Sequence, residues 1–439
     1  GSSALVKLKR GGLIGLAGAA IALTIWLLGW FDVWEAKTWD WRASLLAEPG
    51  QASDDIVIIL LDQASLDWGS RENGLTWPWP RELYGAIASY CQRAGAKALA
   101  FDVLFSEPST YGVEDDQVLG AAMADFGRVA AALFLGFQSG QTLSWPGTPA
   151  NPHLRSEGLA EWIAARAYQQ PVFPRAVLPV PEVVHGAAVL CNVHLNPDRD
   201  GVYRRVKLFG LFDQQVFPSL GLGAYLASRP ETRMHFGKKG LTIDKLTVPL
   251  TSGGETILRF RGPTGTYKTF SAAAVLQSEI RLLTGERPAV VSPQALRDKF
   301  VLFGFSAPGL YDLRSTPVGG VYPGVEIQAT MLDNFLSQDF MQPVSGPMTA
   351  LISIGLALVS AIGVSFFTRP FASLTVGFLG IGLPAAGVLV AYLLGFWLPL
   401  MVQEAAAILA VATGLLVNYT TEGRQKKFIK QAFKKLSLI

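Results

Sequence analysis

The stretch Asp55-Ile-Val-Ile-Ile-Leu-Leu-Asp62 is a continuous apolar run that ends on a carboxylate. Its β-branched residues favour a strand, and the lack of apolar-polar alternation predicts that both faces of this strand are covered. Strands of this kind are typical of parallel sheets that carry helices on both faces. The stretch therefore predicts an α/β fold for the part of the chain around it.

Helical and strand patterns alternate after this stretch. Apolar residues at helical spacing predict helices over Arg81–Ala94 and residues 115–126, and apolar runs predict strands over residues 96–101 and 128–135. The order strand, helix, strand, helix, strand at this spacing is typical of parallel strands joined by crossover helices. We therefore predict a mainly parallel sheet.

The region farther along the chain is less regular. A proline-rich stretch, residues 145–181, is expected to be a long excursion that packs on the sheet. After it, the pattern predicts three edge-type or antiparallel strands, a helix, a buried strand and a last helix. These elements are expected at residues 202–211, 241–248, 256–260, 270–283, 300–304 and 325–336. One mixed α/β domain over residues 32–346 accounts for the whole pattern.

Two runs of membrane-grade hydrophobicity enclose this domain. Residues 11–31 contain no charge over 21 positions, and residues 347–421 contain two charges over 75 positions. A helix that crosses a bilayer needs about 20 apolar residues, so the first run is long enough for one span. The second run is interrupted at Pro370 and at Pro399, which predicts three spans. This layout favours a receptor over a channel or a transporter.

The distribution of charge predicts the orientation of the chain. Residues 1–10, the turn at Arg369 and residues 422–439 together hold ten basic residues and one acidic residue. The domain between the runs holds 27 basic and 32 acidic residues. Because Lys and Arg in short flanks stay on the cytoplasmic side, both termini and the Arg369 turn are predicted inside and the large domain outside. We expect a multi-pass membrane protein, and the charge gives no reason to propose a nucleic-acid partner.

Seven motifs follow one another along the chain. They are Asp-Ile-Val-Ile-Ile-Leu-Leu-Asp-Gln-Ala-Ser-Leu (55–66), Trp-Pro-Trp-Pro-Arg (77–81), Ala-Gly-Ala-Lys-Ala-Leu-Ala-Phe-Asp-Val-Leu-Phe (94–105), Asp-Arg-Asp-Gly-Val-Tyr-Arg-Arg (198–205), Phe-Val-Leu-Phe-Gly (300–304), Ser-Thr-Pro-Val (315–318) and Gly-Val-Glu-Ile-Gln-Ala (324–329). In this order, followed by three spans, they resemble the CHASE sensory domain of the second type. Gln328 stands where the family pattern usually has His. The resemblance implies an extracytoplasmic sensor in a bacterial receptor.

The basic tail narrows the expected output. Arg424-Gln-Lys-Lys-Phe-Ile-Lys-Gln-Ala-Phe433 resembles the short helix that joins the last span to the catalytic domain in membrane-bound class III adenylate cyclases. Residues 434–439 depart from that pattern. The resemblance implies the sensory part of an adenylate cyclase, with the catalytic domain and its magnesium or manganese expected beyond this chain. A histidine kinase or another signalling output is the alternative, and no catalytic residue is assigned here.

The tail also shows a short repeat of apolar residues. Ile429, Ala432, Leu436 and Ile439 recur at intervals of three, four and three residues, as in the seam of a coiled coil. This spacing predicts a parallel stalk between the two chains of a homodimer. A basic amphipathic helix that lies on anionic lipid headgroups is the alternative.

Two features of the predicted spans bear on packing and signalling. Gly11, Gly15 and Ala19 are spaced four residues apart and form a small-residue face that suits close helix packing. Glu404 lies in the first turns after Pro399, where a carboxylate is either functional or reaches interfacial water. We therefore count Glu404, with the four tail residues above, among the candidates for signal transmission.

A ligand site is predicted at the carboxyl ends of the buried strands. In open α/β sheets ligands bind at this edge, where two carboxylates could meet a cation, an amine or sugar hydroxyls. An aspartate at a strand end alternatively caps the next helix, and a tryptophan beside a proline alternatively acts as a packing wedge. The ligand, a small molecule or an envelope protein, is not identified by the sequence. The candidate ligand-binding residues are Asp62, Trp77, Trp79, Arg81, Asp102 and Asp312.

The sequence gives only weak signals for a metal site, a catalytic site or a disulfide. Glu114-Asp115-Asp116 favours the start of a helix over a metal site, and we predict no metal ligands in this chain. An ectoenzyme and a passive oligomerising scaffold remain as alternatives, although no hydrolase motif occurs. His194 follows a predicted strand and is either a base or a structural histidine. Cys91 and Cys191 are either buried thiols or a disulfide.

Overall fold

The computed structural model describes residues 2–165, 171–285, 288–310 and 312–436. The chain divides into two units: Gly1–Leu46 together with Pro343–Ile439 form the first, and Ala47–Gln342 form the second. The α-helices are α1 (Ser2–Leu27), α2 (Asp32–Leu45), α3 (Gln63–Asn73), α4 (Arg81–Ala94), α5 (Val113–Phe126), α6 (Leu159–Ala164), α7 (Pro181–Gly186), α8 (Gly223–Ala227), α9 (Ala272–Thr284), α10 (Gly324–Ser337), α11 (Gly346–Phe366), α12 (Pro370–Leu393) and α13 (Met401–Leu436).

The strands are short, and most of them lie in the second unit. They are β1 (Ile56–Leu61), β2 (Ala98–Phe101), β3 (Val129–Gly136), β4 (Leu154–Glu157), β5 (Arg175–Val177), β6 (Val189–Asn192), β7 (Arg205–Lys207), β8 (Phe209–Phe212), β9 (Gln215–Pro218), β10 (Thr232–Gly237), β11 (Gly240–Ile243), β12 (Leu246–Val248), β13 (Glu255–Ile257), β14 (Lys268–Ser271), β15 (Phe300–Phe305), β16 (Leu313–Thr316), β17 (Gly319–Pro323), β18 (Gln342–Pro343) and β19 (Phe396–Trp397).

A mainly parallel sheet forms the centre of the second unit. Its strands run in the order β14, β1, β15, β2, β3, and β3 pairs further with β6 and β5. All of these pairs are parallel except that of β3 with β5. Strand β15 lies between β1 and β2, with Leu302 opposite Ile58 on one side and Ala100 on the other. The carboxyl ends of β1, β15 and β2 therefore lie at one edge of the sheet.

Apolar cores cover both faces of this sheet. One face packs under α4, α5 and α9, with Ile87, Leu119 and Val275 among the buried residues. The other face packs against α8 and α10, with Tyr225 and Ile327 buried. Strands without an exposed face need apolar residues at every position, which is the pattern of β1 and β15. The predicted mixed α/β fold with a mainly parallel sheet is confirmed.

Several predicted boundaries in the second half were wrong. The predicted helix over residues 270–283 starts at Ala272, because Lys268–Ser271 pairs with β1 as an edge strand and the Ser271 hydroxyl accepts a hydrogen bond from the Ala274 N–H. The predicted strand over residues 241–248 is a hairpin that turns at Asp244, whose φ is 53°. Propensity alone does not separate one long strand from two short ones joined by a tight turn.

The first unit contains four helices that are long and apolar enough to cross a membrane. These candidate spans are Ser3–Leu27, Gly346–Phe366, Pro370–Leu393 and Met401–Lys434. The breaks between the last three fall at the two predicted prolines. The last helix does not stop at residue 421, because α13 continues as one helix through the basic tail.

Small residues allow the spans to pack closely. A Cβ on Gly11 or on Gly15 would lie 2.8 Å from the backbone of α11, at Ile362 and Leu358. Ala19 is buried in the apolar core of this unit. The small-residue face predicted on the first span is therefore the face on which α1 packs against α11.

The first unit extends beyond the predicted spans. Helix α2 groups with the spans, so the boundary between the units falls after Leu46, whereas the sequence suggested that the soluble domain begins at Asp32. The reason is that α2 contains many charged residues among its tryptophans, so its composition alone resembles that of a surface helix. Its buried residues are Trp39, Arg42 and Ala43.

The two cysteines are free thiols. Cys91 lies in α4 and Cys191 in β6, and both are fully buried. Burial raises the pKa of the Cys91 thiol to about 12, so it stays protonated and unreactive. Of the two alternatives considered from the sequence, buried thiols are the one observed.

The close approach of β15 to α10 generates a prediction about stability. A Cβ added to Gly304 would clash with the side chain of Val325. We expect Gly304→Ala to lower the free energy of unfolding by about 1–3 kcal/mol, the usual cost of overpacking a core. The measurement is urea-induced unfolding of the purified protein, followed by pulse proteolysis. Gly309→Ala is the matched control, since no atom lies within 4 Å of its Cβ position; equal midpoints for the two variants would contradict the predicted clash.

Candidate functional site

The carboxyl edge of the central sheet opens into a cavity of about 300 Å³. Its walls come from the residues after β2 and after β6, from the ends of β3 and β15, and from the segment that leads into α10. The polar side chains that line it are those of Asp102, His194, Asp312 and Arg314. Val103, Leu104, Phe134, Val193, Leu195, Phe305 and Gly324 complete the wall.

Asp102 and Asp312 reach the cavity from distant parts of the chain. Asp102 directly follows β2, and its N–H donates to the Phe303 carbonyl of β15 at 2.8 Å, which holds the backbone in line with the sheet. The Asp312 carbonyl accepts a hydrogen bond from the Gly324 N–H at 3.1 Å. A Cβ on Gly324 would lie 2.6 Å from Asp312 Oδ1, so a glycine is required where the carboxylate passes the start of α10.

The electrostatics of the two carboxyls are linked. Burial raises the pKa of Asp102 well above its ordinary value, the negative charge of Asp312 raises it further, and Arg314 opposes both effects. Burial also raises the pKa of Asp312, while Arg314, whose Nη2 lies 3.2 Å from Asp312 Oδ1, opposes the shift. Two carboxyls that influence each other titrate as a pair. The pair can therefore hold a proton and offer both an O–H donor and carboxylate acceptors to a ligand.

His194 contributes a neutral imidazole to the same cavity. Its Nδ1 lies 2.5 Å from the Leu135 carbonyl oxygen, and because a carbonyl only accepts, we assign the ring proton to Nδ1. Burial lowers the pKa of His194, and the hydrogen bond to Leu135 partly opposes this shift. The ring stacks on Phe134 at a centroid distance of 4.4 Å. In this tautomer Nε2 is an acceptor, and the anchored ring also supports the alternative of a structural histidine.

Asp62 does not converge with Asp102. Strand β15 separates β1 from β2, and the Asp62 carboxylate instead accepts from the Ser65 N–H at 2.8 Å and from the Ser65 hydroxyl at 2.7 Å. It therefore caps α3, which was the alternative interpretation. The carboxylate that does come close to Asp102 is that of Asp312.

Arg81 is engaged away from the cavity. Its Nε lies 3.2 Å from Asp116 Oδ1, its Nη2 donates to the Glu107 carbonyl at 2.9 Å, and its guanidinium lies 4.8 Å from the Phe105 ring centroid. Its polar partners are therefore Asp116 and Glu107, and neither Asp62 nor Asp102 is among these contacts. Asp115 caps the start of α4 by accepting from the Arg81 N–H at 2.7 Å.

The two tryptophans of the Trp-Pro-Trp-Pro motif have different surroundings. Trp79 is buried and packs on Gly69 and Trp68, as a wedge between elements. Trp77 remains 46% exposed, and its ring contacts Phe305 edge-on at 5.6 Å. Since Phe305 lines the cavity, Trp77 is the one of the pair that lies near it.

The acidic run in α5 has a structural role. Asp115 and Asp116 accept hydrogen bonds from Arg81 and Glu82 at the start of α4 and from the Ser109 N–H in the loop before α5. Among the described residues, no three His, Cys, Asp or Glu side chains are placed to hold a metal ion.

The candidates for signal transmission lie along α13. Glu404 is in the first turn of this helix, while Ile429 is 54% exposed near its far end and Ala432 is half-buried. Leu436 is the last residue of the helix, and its side chain is not among those described. Ile439 lies outside the described residues.

Sequence reasoning missed Arg314 and Phe305 as lining residues. Asp312 directly precedes β16 and Arg314 is the second residue of this strand, and the Arg314 Nη2 lies 3.2 Å from Asp312 Oδ1. That spacing was visible in the sequence, but the strand was not predicted.

One comparison with known proteins gives a match. A sequence profile of the CHASE2 domain matches residues 16–364. No curated protein and no solved structure matches the chain.

The raised pKa of Asp102 generates a prediction about pH. Because the folded-state pKa lies above the ordinary value of 3.8, the stability that this proton contributes is present below the unfolded pKa and is lost as pH rises through the folded pKa. Asn cannot ionise, so Asp102→Asn should escape this loss. We expect the urea midpoint of the variant to rise relative to that of the parent from about pH 4 upward.

The control for this prediction is Asp54→Asn, which removes an exposed carboxylate at the start of the same sheet. Its midpoint should follow that of the parent at every pH. Parallel pH profiles for the parent and Asp102→Asn would show that the folded state does not perturb this carboxyl.

Proposed function

The chain belongs to the CHASE2 domain family, whose members are sensory domains of signalling proteins, and from this premise we propose that it is the sensory and membrane part of a bacterial class III adenylate cyclase. The observation that carries the cyclase assignment is the basic connector over residues 424–433, which resembles that of membrane-bound cyclases. Helix α13 runs without a break from the last candidate span into this connector. A signal that moves the span would therefore move the connector with it.

The charge distribution supports the proposed topology. The ten basic residues at the ends of the candidate spans lie in the first turns of α1, in the turn before α12 and in the tail of α13. In our proposal these segments face the cytoplasm and the second unit lies outside the inner membrane. The sensory unit then meets stimuli from the envelope, while the connector meets the output domain inside.

The cavity at Asp102 and Asp312 is the proposed ligand site. It is lined by aromatic and aliphatic side chains. Its polar groups include two carboxyls, which can donate and accept hydrogen bonds, and the guanidinium of Arg314. This combination suits a small ligand that carries hydroxyl or amine groups, because either group can form hydrogen bonds with two carboxyls that share a proton. An anionic ligand fits less well, because the cavity holds two carboxyls and one arginine.

Two alternatives share the same sensory unit. A histidine kinase output would keep the topology and the cavity and differ only in the reaction after the connector. An ectoenzyme would use Asp102, Asp312 and His194 on an external substrate, with no dependence on the connector. Cyclic AMP production by the full-length protein separates the proposed function from both alternatives, because only the proposed function yields it.

The topology generates a prediction about labelling. Lys239→Cys introduces a thiol at an exposed turn of the second unit, and Lys426→Cys and Arg369→Cys introduce thiols at exposed positions of the first. Cells treated with an impermeant maleimide should label position 239 and should leave positions 426 and 369 unlabelled until the membrane is opened. The native thiols, both fully buried, give little background. Labelling in the opposite pattern would reverse the proposed orientation.

The connector seam generates a prediction about output. Ile429→Asn removes apolar burial worth about 1.5–3 kcal/mol if the side chain is buried between two chains. In the full-length protein, with Mg²⁺ or Mn²⁺, we expect cyclic AMP production to fall by about tenfold or more, because a loss of about 1.4 kcal/mol already shifts a pairing equilibrium tenfold. Membrane insertion should be unchanged.

The matched control is Gln431→Ala, which lies off the seam on the same helix. It should leave cyclic AMP production at the level of the parent. Equal activity of parent, Ile429→Asn and control would mean that the spans or the sensory unit set the pairing of the chains. No cyclic AMP from any of them would favour a different output.

A further inference from the structure

Helix α2 is attached to the turn that precedes the last candidate span. Trp39 of α2 is fully buried and stacks on Trp397 at a centroid distance of 4.3 Å, with the rings 9° from parallel. It also contacts Tyr392 at 5.0 Å. Aromatic packing of this kind fixes the rotation of α2 about its own axis.

Glu35 of α2 provides the acceptors for the start of α13. Its Oε2 accepts from the backbone N–H groups of Leu400 and Met401, both at 2.9 Å. Its Oε1 accepts from Trp397 Nε1 at 3.0 Å and from Arg42 Nη2 at 2.8 Å. The first N–H groups of a helix have no partner within the helix, and a carboxylate also interacts favourably with the helix dipole there. Glu35 therefore caps a helix that begins some 365 residues farther along the chain.

Arg42 completes the attachment. Its side chain is 0% exposed, and its Nη1 donates to the Leu398 carbonyl at 2.7 Å. A buried guanidinium is strongly destabilised when its carboxylate is removed, because the charge is then left without a partner. We call Glu35, Trp39, Arg42 and Trp397 together the Glu35 clamp.

The clamp lies between the two ends of a signalling path. Helix α2 ends at Leu45, two residues before the second unit begins at Ala47. Helix α13 runs from Met401 to Leu436 over 36 residues, about 54 Å at 1.5 Å per residue. It contains both the last candidate span and the connector. Any displacement of α2 along or around its axis acts directly on the first turn of α13.

We infer that the Glu35 clamp transmits motion of the segment leading to the sensory unit into α13, and through it sets the position of the connector. Glu35 and Arg42 are positioning residues in this role. The inference rests on the sensory part of the proposed function and does not require that the output is a cyclase. The path through α2 is direct, because one polar cluster joins it to the helix that reaches the connector.

Glu35→Gln is a sharp test of the clamp. The carboxylate receives donors on both oxygens, whereas a glutamine offers one acceptor oxygen and one NH₂ group. In either orientation of the glutamine amide, its NH₂ group faces two N–H donors. The two hydrogen bonds at that position are therefore replaced by donor–donor repulsion. Asp32→Asn is the matched control, with the same charge change on an exposed residue of the same helix.

Two measurements on the full chain in bilayers distinguish two roles of the Glu35 clamp: it only caps the start of α13, or it also sets the position of the connector. Hydrogen exchange of peptides that cover Leu400 and Met401 reports the cap, and in Glu35→Gln it should be about tenfold faster. Spin labels on Arg369→Cys and Gln425→Cys report the distance between the turn before α12 and the connector. In Glu35→Gln this distance should shift or broaden by about 1.5 Å or more, the rise of one helical residue.

The outcomes are decisive in both directions. Faster exchange with a shifted distance in Glu35→Gln, and neither change in Asp32→Asn, supports the inference. Faster exchange with an unchanged distance makes the clamp a local cap and overturns it, as does unchanged exchange. If Glu35→Gln does not reach the membrane, Trp397→Phe keeps a ring at the stacking position and removes one donor to Glu35 Oε1; a shifted distance in this variant supports the inference, and an unchanged distance overturns it. A shifted distance in a protein that makes no cyclic AMP leaves the clamp standing and rejects the cyclase.

Discussion

The insertion of β15 between β1 and β2 is the constraint on which the second unit depends. The chain leaves β1 at Leu61, returns to one side of it at Lys268 as β14, and fills its other side only at Phe300, where β15 begins. The entropy of closing so long a loop grows only slowly with length, so burial of β15 on both faces can offset it. With β15 in place, the helices on the two faces pack over one continuous sheet. Without it, β1 and β2 would each lose a neighbour.

The same insertion creates the cavity. The segment that follows β15 places Asp312 and Arg314 in the same cavity as Asp102, which directly follows β2 at the carboxyl edge of the sheet. The insertion also sets β1 apart from β2 by two strand spacings, about 9–10 Å. Asp62 is thereby left to cap α3, and Asp102 acquires Asp312 as its electrostatic partner. One strand position thus decides which two of three carboxyls interact.

A comparable long-range contact organises the first unit. The N–H groups at the start of α13 find their acceptor in Glu35, on a helix from the opposite end of the chain. Buried ionic contacts contribute less to stability than their geometry suggests, because both charges lose water. Their value here lies in orientation, since Glu35 and Arg42 fit together in one register of α2 against the turn before α13. The small residues of α1 add close packing against α11.

The sequence by itself determined what depends on local pattern. Apolar length predicted the spans, unbroken apolar runs predicted β1 and β15, and helical spacing predicted α4 with the observed bounds. These features depend on residues within a few turns of one another. The family resemblance was likewise carried by short motifs in a fixed order.

Only the tertiary structure decided strand order and the partner of each charged residue. An aspartate after a strand has the same local options in every case: it caps a helix, pairs with a base, or faces a cavity. Asp62 and Asp102 look alike in sequence, and Ser65 beside one and Asp312 beside the other separate them. The partner of Asp62 is local, whereas the state of Asp102 depends on desolvation and on Asp312, which comes from a distant part of the chain, and neither is encoded in the spacing of nearby residues.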